Sequence, residues 1–289
     1  MNDPSQTIAT AMLFRVIVQP ALPACPGTRT LHEVCGLGMG HYPDMGLHQN
    51  NDQVWGPWAT IGLGLLVAVT FITVQIPILM GYLIVDDALM ETIQSPERMA
   101  LMEKNGTFLS LATIVAGLVS SALVVLLVYV RKGRSVRDYL LLLKPKMKQF
   151  LPWFLLIIAV AVAYDFSKLL FDKPVVPEVM IDIYRSASIK PLFWLAIIVV
   201  GPIFEELFFR GFLFTGLVQS RMGAIGALLI TASVWAVVHQ QYELMDIFWI
   251  FIIGILLGVT RMKTKSLLPG IAIHMAMNLV ATLELAYYA

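Results

Sequence analysis

Within the apolar run Pro202-Ile203-Phe204-Glu205-Glu206-Leu207-Phe208-Phe209-Arg210, two carboxylates and a guanidinium stand where aliphatic residues are expected. Two further polar pairs follow downstream, Trp235 with His239 and His274 with Asn278. An ionised side chain at membrane depth costs several kcal/mol, roughly 2.5–3.5 on insertion scales, so its presence points to a site. On a helix, Glu206 and Arg210 are i and i+4, with the acid N-terminal to the base, which favours an ion pair. Glu205 lies about 100° further round and lacks Arg210 as a partner. That leaves it free to take a proton from water and return it to a leaving amine. Trp235 and His239 share a face, as do His274 and Asn278. A base, a polariser and an amide donor together suffice to hydrolyse a peptide bond and stabilise its oxyanion. Two other readings stand beside this one. The charges could form a neutralised structural cluster between helices, or line a transporter or proton pathway. The clustering of charge in the C-terminal half and the lack of an internal repeat weigh against the second.

The elements that must position these residues are membrane helices. Of 289 residues, 58% are hydrophobic and 13% charged, with mean hydropathy +0.78, against roughly 25% charged in a soluble domain. The fold class is therefore all-α, a polytopic membrane helical bundle of about seven helices. Segments near 58–85, 107–130, 150–171, 191–219, 223–240, 244–260 and 267–287 approach the ~20 residues a helix needs to cross hydrocarbon. Arg131, Lys132, Arg134, Arg137, Lys144, Lys146 and Lys148 follow the second segment, whereas Asp86, Asp87, Glu91, Glu97 and Glu103 outnumber Arg98 and Lys104 after the first. Positive-inside logic puts 131–149 in the cytoplasm, and the Arg221 and Arg261–Lys265 turns agree. The N-terminus is then cytoplasmic and the C-terminus outside. The net charge of +1, without a basic stripe, excludes nucleic acid as a partner.

Residues 1–56 are expected to form a flexible tail and 57–289 the helical domain. Cys25 and Cys35, near His32, His41 and His48, follow no zinc spacing and read as unpaired thiols. Asp165 and Lys168, i and i+3, read as an interfacial ion pair, and Asp246 as a charge suited to a helix N-terminus. Tyr242 and Glu243 fall in the loop beside His239. One tension remains. In a straight bundle Glu205 would lie at mid-depth and His239 near the outer end of its helix, so either the fifth segment is displaced or kinked or the segment boundaries shift by a few residues. Pro202, one turn before Glu205, is expected to bend the fourth and open a wet cavity.

The order Glu205-Glu206-x-x-x-Arg210, Trp235-x-x-x-His239, His274-x-x-x-Asn278 resembles the intramembrane CAAX-protease and bacteriocin-processing family, which includes the type II CAAX prenyl endopeptidases. Gly254, Gly258 and the Thr264–Pro269 stretch are also similar to its pattern. The resemblance covers about 191–282. Trp235 departs from it, since the family more often has Phe there. The resemblance implies an endopeptidase in which Glu205 activates water with help from His239. His274 and Asn278 would bind the oxyanion, and Glu206 with Arg210 would keep the charges in register. Its substrates would be membrane-associated or prenylated proteins or peptides, with the lipid bilayer, in the cell membrane, as the other partner; nothing in the sequence sets the oligomeric state. No cofactor is expected. Zinc held by Glu205, His239 and His274 is the alternative, disfavoured by the lack of an HExxH helix and by the neighbouring Arg210.

Overall fold

A computed structural model describes residues 54–85, 95, 102 and 104–289 of the chain. The acidic loop read from Asp86, Asp87, Glu91, Glu97, Arg98 and Glu103 lies outside the described residues, as do 1–53, with Cys25, Cys35, His32, His41 and His48. The described residues are helical, without strands.

Ten helices follow in chain order: α1 (Pro57–Thr73), α2 (Gln75–Val85), α3 (Gly106–Val130), α4 (Val136–Tyr139), α5 (Met147–Leu170), α6 (Glu178–Ser186), α7 (Lys190–Leu217), α8 (Gly223–Val237), α9 (Leu244–Thr264) and α10 (Leu268–Tyr288). Among the described residues six spans are long and apolar enough to cross a bilayer: α1 with α2, α3, α5, α7, α9 and α10. The chain is a polytopic all-α membrane protein. Its outward faces carry large apolar side chains such as Leu65, Val69, Phe166 and Leu170, as a surface solvated by lipid requires.

α7 is the central helix. Half of its apolar window is buried, against 6% for α5. Phe204, Leu207, Phe208, Phe209 and Phe212 pack there with Trp235, Leu257, Leu267 and Ile273. Phe71 stacks on Phe204 at 4.8 Å, and Phe204 on Phe208 at 5.8 Å. The fifth expected crossing, α8, is shorter than its sequence segment. It has 15 residues and ends at Val237 instead of 240. At 1.5 Å per residue that is about 22 Å, less than the ~30 Å of hydrocarbon. This shortness resolves the expected mismatch in depth: the helix stops before His239, and the end of α8 meets the middle of α7.

Three expectations are corrected by packing. Residues 54–56 are not tail: Val54 is buried, Trp55 Nε1 donates to Leu127 O at 3.0 Å, and Arg131 Nε donates to Val54 O at 3.1 Å. Lys168 pairs with Asp246 of α9 at 2.6 Å, with both side chains almost wholly buried, instead of with Asp165. Tyr164 Oη donates to the same carboxylate at 2.9 Å. The sequence spacing favoured a local partner, but burial between α5 and α9 leaves Lys168 only the carboxylate that shares its interface. Tyr164→Phe is therefore expected to lower thermal stability in detergent by about 1.5–3 kcal/mol, the value of a hydrogen bond to a charged acceptor. Finally, Arg261 is not a loop cation. It is buried in the last turn of α9, donates through Nη2 to Thr215 Oγ1 at 2.6 Å, and lies 4.6 Å over the Phe214 ring. The exposed basic residues of that turn are Lys263 and Lys265.

On the α5–α9 side, Lys173 and Glu243 form an exposed pair at 2.9 Å. The hydrogen bond from Lys173 holds the Glu243 carboxyl below its usual range, and the same bond raises Lys173. This tether therefore holds between the two displaced values and is lost when Glu243 is protonated or Lys173 deprotonated.

Candidate active site

The site begins with the backbone of α7, which is not a uniform α-helix. Leu195–Val200 and Glu206–Leu213 are π-helical, with Gly201 N–H reaching back to Ala196 O and Phe214 N–H to Phe209 O. Such wider turns concentrate at functional sites. Pro202 lies between them and has no N–H to offer Ile197 O, five residues earlier. Asn278 Nδ2 from α10 donates to that carbonyl at 2.8 Å. The sequence placed a bend at Pro202; the structure shows a helix that widens on either side of it and draws in a donor from α10.

The two adjacent carboxylates have separate environments. Glu206 is wholly buried; its Oε1 accepts from Arg210 Nη1 at 2.9 Å and from His274 Nδ1 at 3.2 Å. Its Oε2 has no hydrogen-bond partner and lies over the first turn of α10, where a methyl group on Gly270 would come within 3.1 Å. Gly270→Ala is expected to push on a buried charge that cannot yield, costing about 1–3 kcal/mol of stability and reducing activity. A thermal melt with a parallel activity assay checks this; a variant matching wild type in both would contradict it.

Glu205 retains access, with 26% of its side chain exposed. Its Oε2 accepts from the indole Nε1–H of Trp235 at 2.5 Å and lies 3.9 Å from His274 Nε2. The latter gap is too long for a hydrogen bond, and it is one that a single water at normal distances from both atoms would bridge.

Arg210 is held three ways: by Glu206, by Gly254 O at 3.2 Å from Nη2, and by the face of Trp235 4.3 Å from Cζ. Gly254 permits this, because a methyl group there would meet Trp235 Cε3 at 3.0 Å and Ala232 Cβ at 3.2 Å. Trp235 also presents ring edges to His239 and His274, with centroids 5.3 and 5.4 Å away.

Hydrogen-bond partners fix the histidine protons. His239 Nδ1 lies 2.7 Å from Trp235 O, and His274 Nδ1 lies 3.2 Å from the Glu206 carboxylate. Both partners only accept, so each Nδ1 carries its hydrogen, and Nε2 is the atom left for chemistry. Glu205, Glu206, Arg210 and His274 thus come into direct contact or near contact, with Trp235 among them. His239 joins through the carbonyl and ring of Trp235. Asn278 joins one turn beyond His274, with its amide on Ile197.

Sequence reasoning missed two participants. Trp235, placed by its spacing on the face of His239, is also a donor to Glu205. Arg261, a second buried cation, lies within Coulombic range of Glu206. Its signal was present: Gly254, Gly258 and Arg261 follow i, i+4, i+7, one helical face. As to zinc, among the described residues no three His, Cys, Asp or Glu side chains gather closely enough to hold a metal ion. Glu205, His239 and His274 do not meet as a ligand set in this structure, although each Nδ1 is oriented as a metal-bound histidine's commonly is.

Fold and site together define a multi-pass helical membrane protein with a buried, charge-compensated Glu/His centre on its central helix. Residues 187–280 match the family described as type II CAAX prenyl endopeptidase Rce1-like. The membrane-embedded CAAX protease MroQ of Staphylococcus aureus (strain USA300) is 25% identical over 203 residues, spanning 63% of this chain and 78% of that protein. No solved structure matches.

Proposed function

We propose that this protein is an intramembrane endopeptidase that hydrolyses peptide bonds of membrane-associated or prenylated CAAX-type proteins or peptides by a water molecule activated at Glu205. The observation that carries this reading is the accessible Glu205 carboxylate, 3.9 Å from His274 Nε2, beside an otherwise sealed cluster of compensated charge. The family match to 187–280 supports the peptidase class.

In the proposed reaction, water lies between Glu205 Oε2 and His274 Nε2. Glu205 takes a proton as the water oxygen adds to the scissile carbonyl carbon. The carbonyl oxygen becomes an oxyanion. His274 enters the step with both ring nitrogens protonated, its Nδ1–H on the Glu206 carboxylate; its Nε2–H, which it keeps throughout, donates to that oxyanion together with the second Nδ2 hydrogen of Asn278, the first being held by Ile197 O. On collapse the C–N bond breaks, and the proton held by Glu205 passes to the leaving amine. His239 Nε2 assists by accepting a hydrogen bond from the water or the substrate. Glu206 and Arg210 keep the two catalytic helices in register. For orientation, we propose that 131–149 faces the cytoplasm of a cell membrane.

The test is cleavage of a quenched prenylated or membrane-anchored peptide by purified protein in liposomes, before and after chelation. Chelator-resistant cleavage is expected. Loss of cleavage on chelation with recovery on zinc addition would overturn the metal-free route.

A further inference from the structure

We infer that Trp235 is a positioning residue for the base: its indole N–H, and not merely its ring, holds Glu205 in the reactive geometry. This rests on the assignment of Glu205 as the base. Three observations carry it. The Nε1–H···Oε2 contact is short, 2.5 Å, and joins residues 30 apart in the chain. The same oxygen is the one nearest His274 Nε2, so the donor fixes the atom that the proposed reaction uses. The indole itself has little room to shift. Its face meets Arg210 at 4.3 Å, its edge packs within 3.0 Å of where a methyl on Gly254 would lie, and both site histidines flank it.

The donor also has a steric consequence. Glu205 ends an α-helical turn, one residue before the π-helical stretch that begins at Glu206, and Arg210 in that stretch is a cation already committed to Glu206. A carboxylate free to rotate could swing towards Arg210 and abandon His274. The indole hydrogen bond opposes that rotation and leaves the second oxygen, Oε1, without a fixed partner. A phenylalanine at 235 would keep the face over Arg210 but have no donor. An enzyme built on that residue must orient its glutamate by other means; here the orientation is written into the indole.

The experiment compares Trp235→Phe with site-specific replacement of Trp235 by β-(3-benzothienyl)alanine, which keeps the bicyclic shape and puts sulfur in place of N–H. Both are assayed in liposomes with the same peptide, beside Glu205→Gln. The expected result is a fall in kcat of about 10- to 100-fold for both replacements with KM within about threefold of wild type, the scale of one lost hydrogen bond to a charged group. The benzothienyl protein should also melt as wild type does, because its packing is unchanged. Wild-type kcat in the benzothienyl protein would overturn the proposal and reduce Trp235 to a packing residue. Full activity in Glu205→Gln would instead sink the base assignment, so the two failures are told apart.

Discussion

Glu205→Gln is expected to lower kcat by about 10³-fold or more, because a positioned general acid–base contributes roughly 10²–10⁴-fold and here one group serves both proton transfers. The amide preserves size and can still occupy the space beside Trp235 and His274. It cannot take a proton from water. Since Glu205 forms no ion pair with Arg210 and is the partly exposed member of the cluster, its neutralisation should leave the fold intact. The check is kcat by peptide cleavage together with a melting curve: an inactive protein that melts as wild type is the expected outcome. A variant that retains activity would remove Glu205 from the chemistry.

Arg210→Met is expected to act in the opposite sense, on stability first. Arg210 is 1% exposed and Glu206 not at all. Removing the cation leaves a buried carboxylate with His274 Nδ1 as its remaining hydrogen-bond donor, and breaking a buried pair from one side costs about 3–5 kcal/mol. The face of Trp235 loses its cation and Gly254 O its donor at the same time. Activity should fall with the fold. The double replacement Glu206→Gln, Arg210→Met removes both charges and is expected to melt above the single variant, the signature of coupling between neighbours. A single variant as stable as wild type would show that the pair does not hold the helix.

The crossing helices and the six polar motif residues were legible in the sequence, because apolar length and i, i+4 spacing are properties of one helix at a time. What spacing cannot supply is the partner on another helix. Lys168 had Asp165 three residues away and chose Asp246 across an interface. Arg261 resembled a cytoplasmic loop charge until α9 continued to Thr264 and carried it into the interior against Phe214. Trp235 was placed on the face of His239, but the bond from its indole to Glu205 depends on where α8 meets α7, which is a fact of packing. The early end of α8 was indicated only by the implausible depth of His239. Likewise the N–H that Pro202 lacks was legible, but that Asn278 donates to Ile197 O from another helix was not. Such local departures from helical regularity gather at the site because strain and widened turns there serve positioning.

The most direct test of the central claim, that this chain cleaves membrane-associated proteins through Glu205, is a comparison of protein termini in membranes from cells producing the wild type or Glu205→Gln at equal level. The proposed function predicts amino or carboxyl termini that occur with the wild type and vanish with the variant. Identical sets of termini in the two membranes would contradict it.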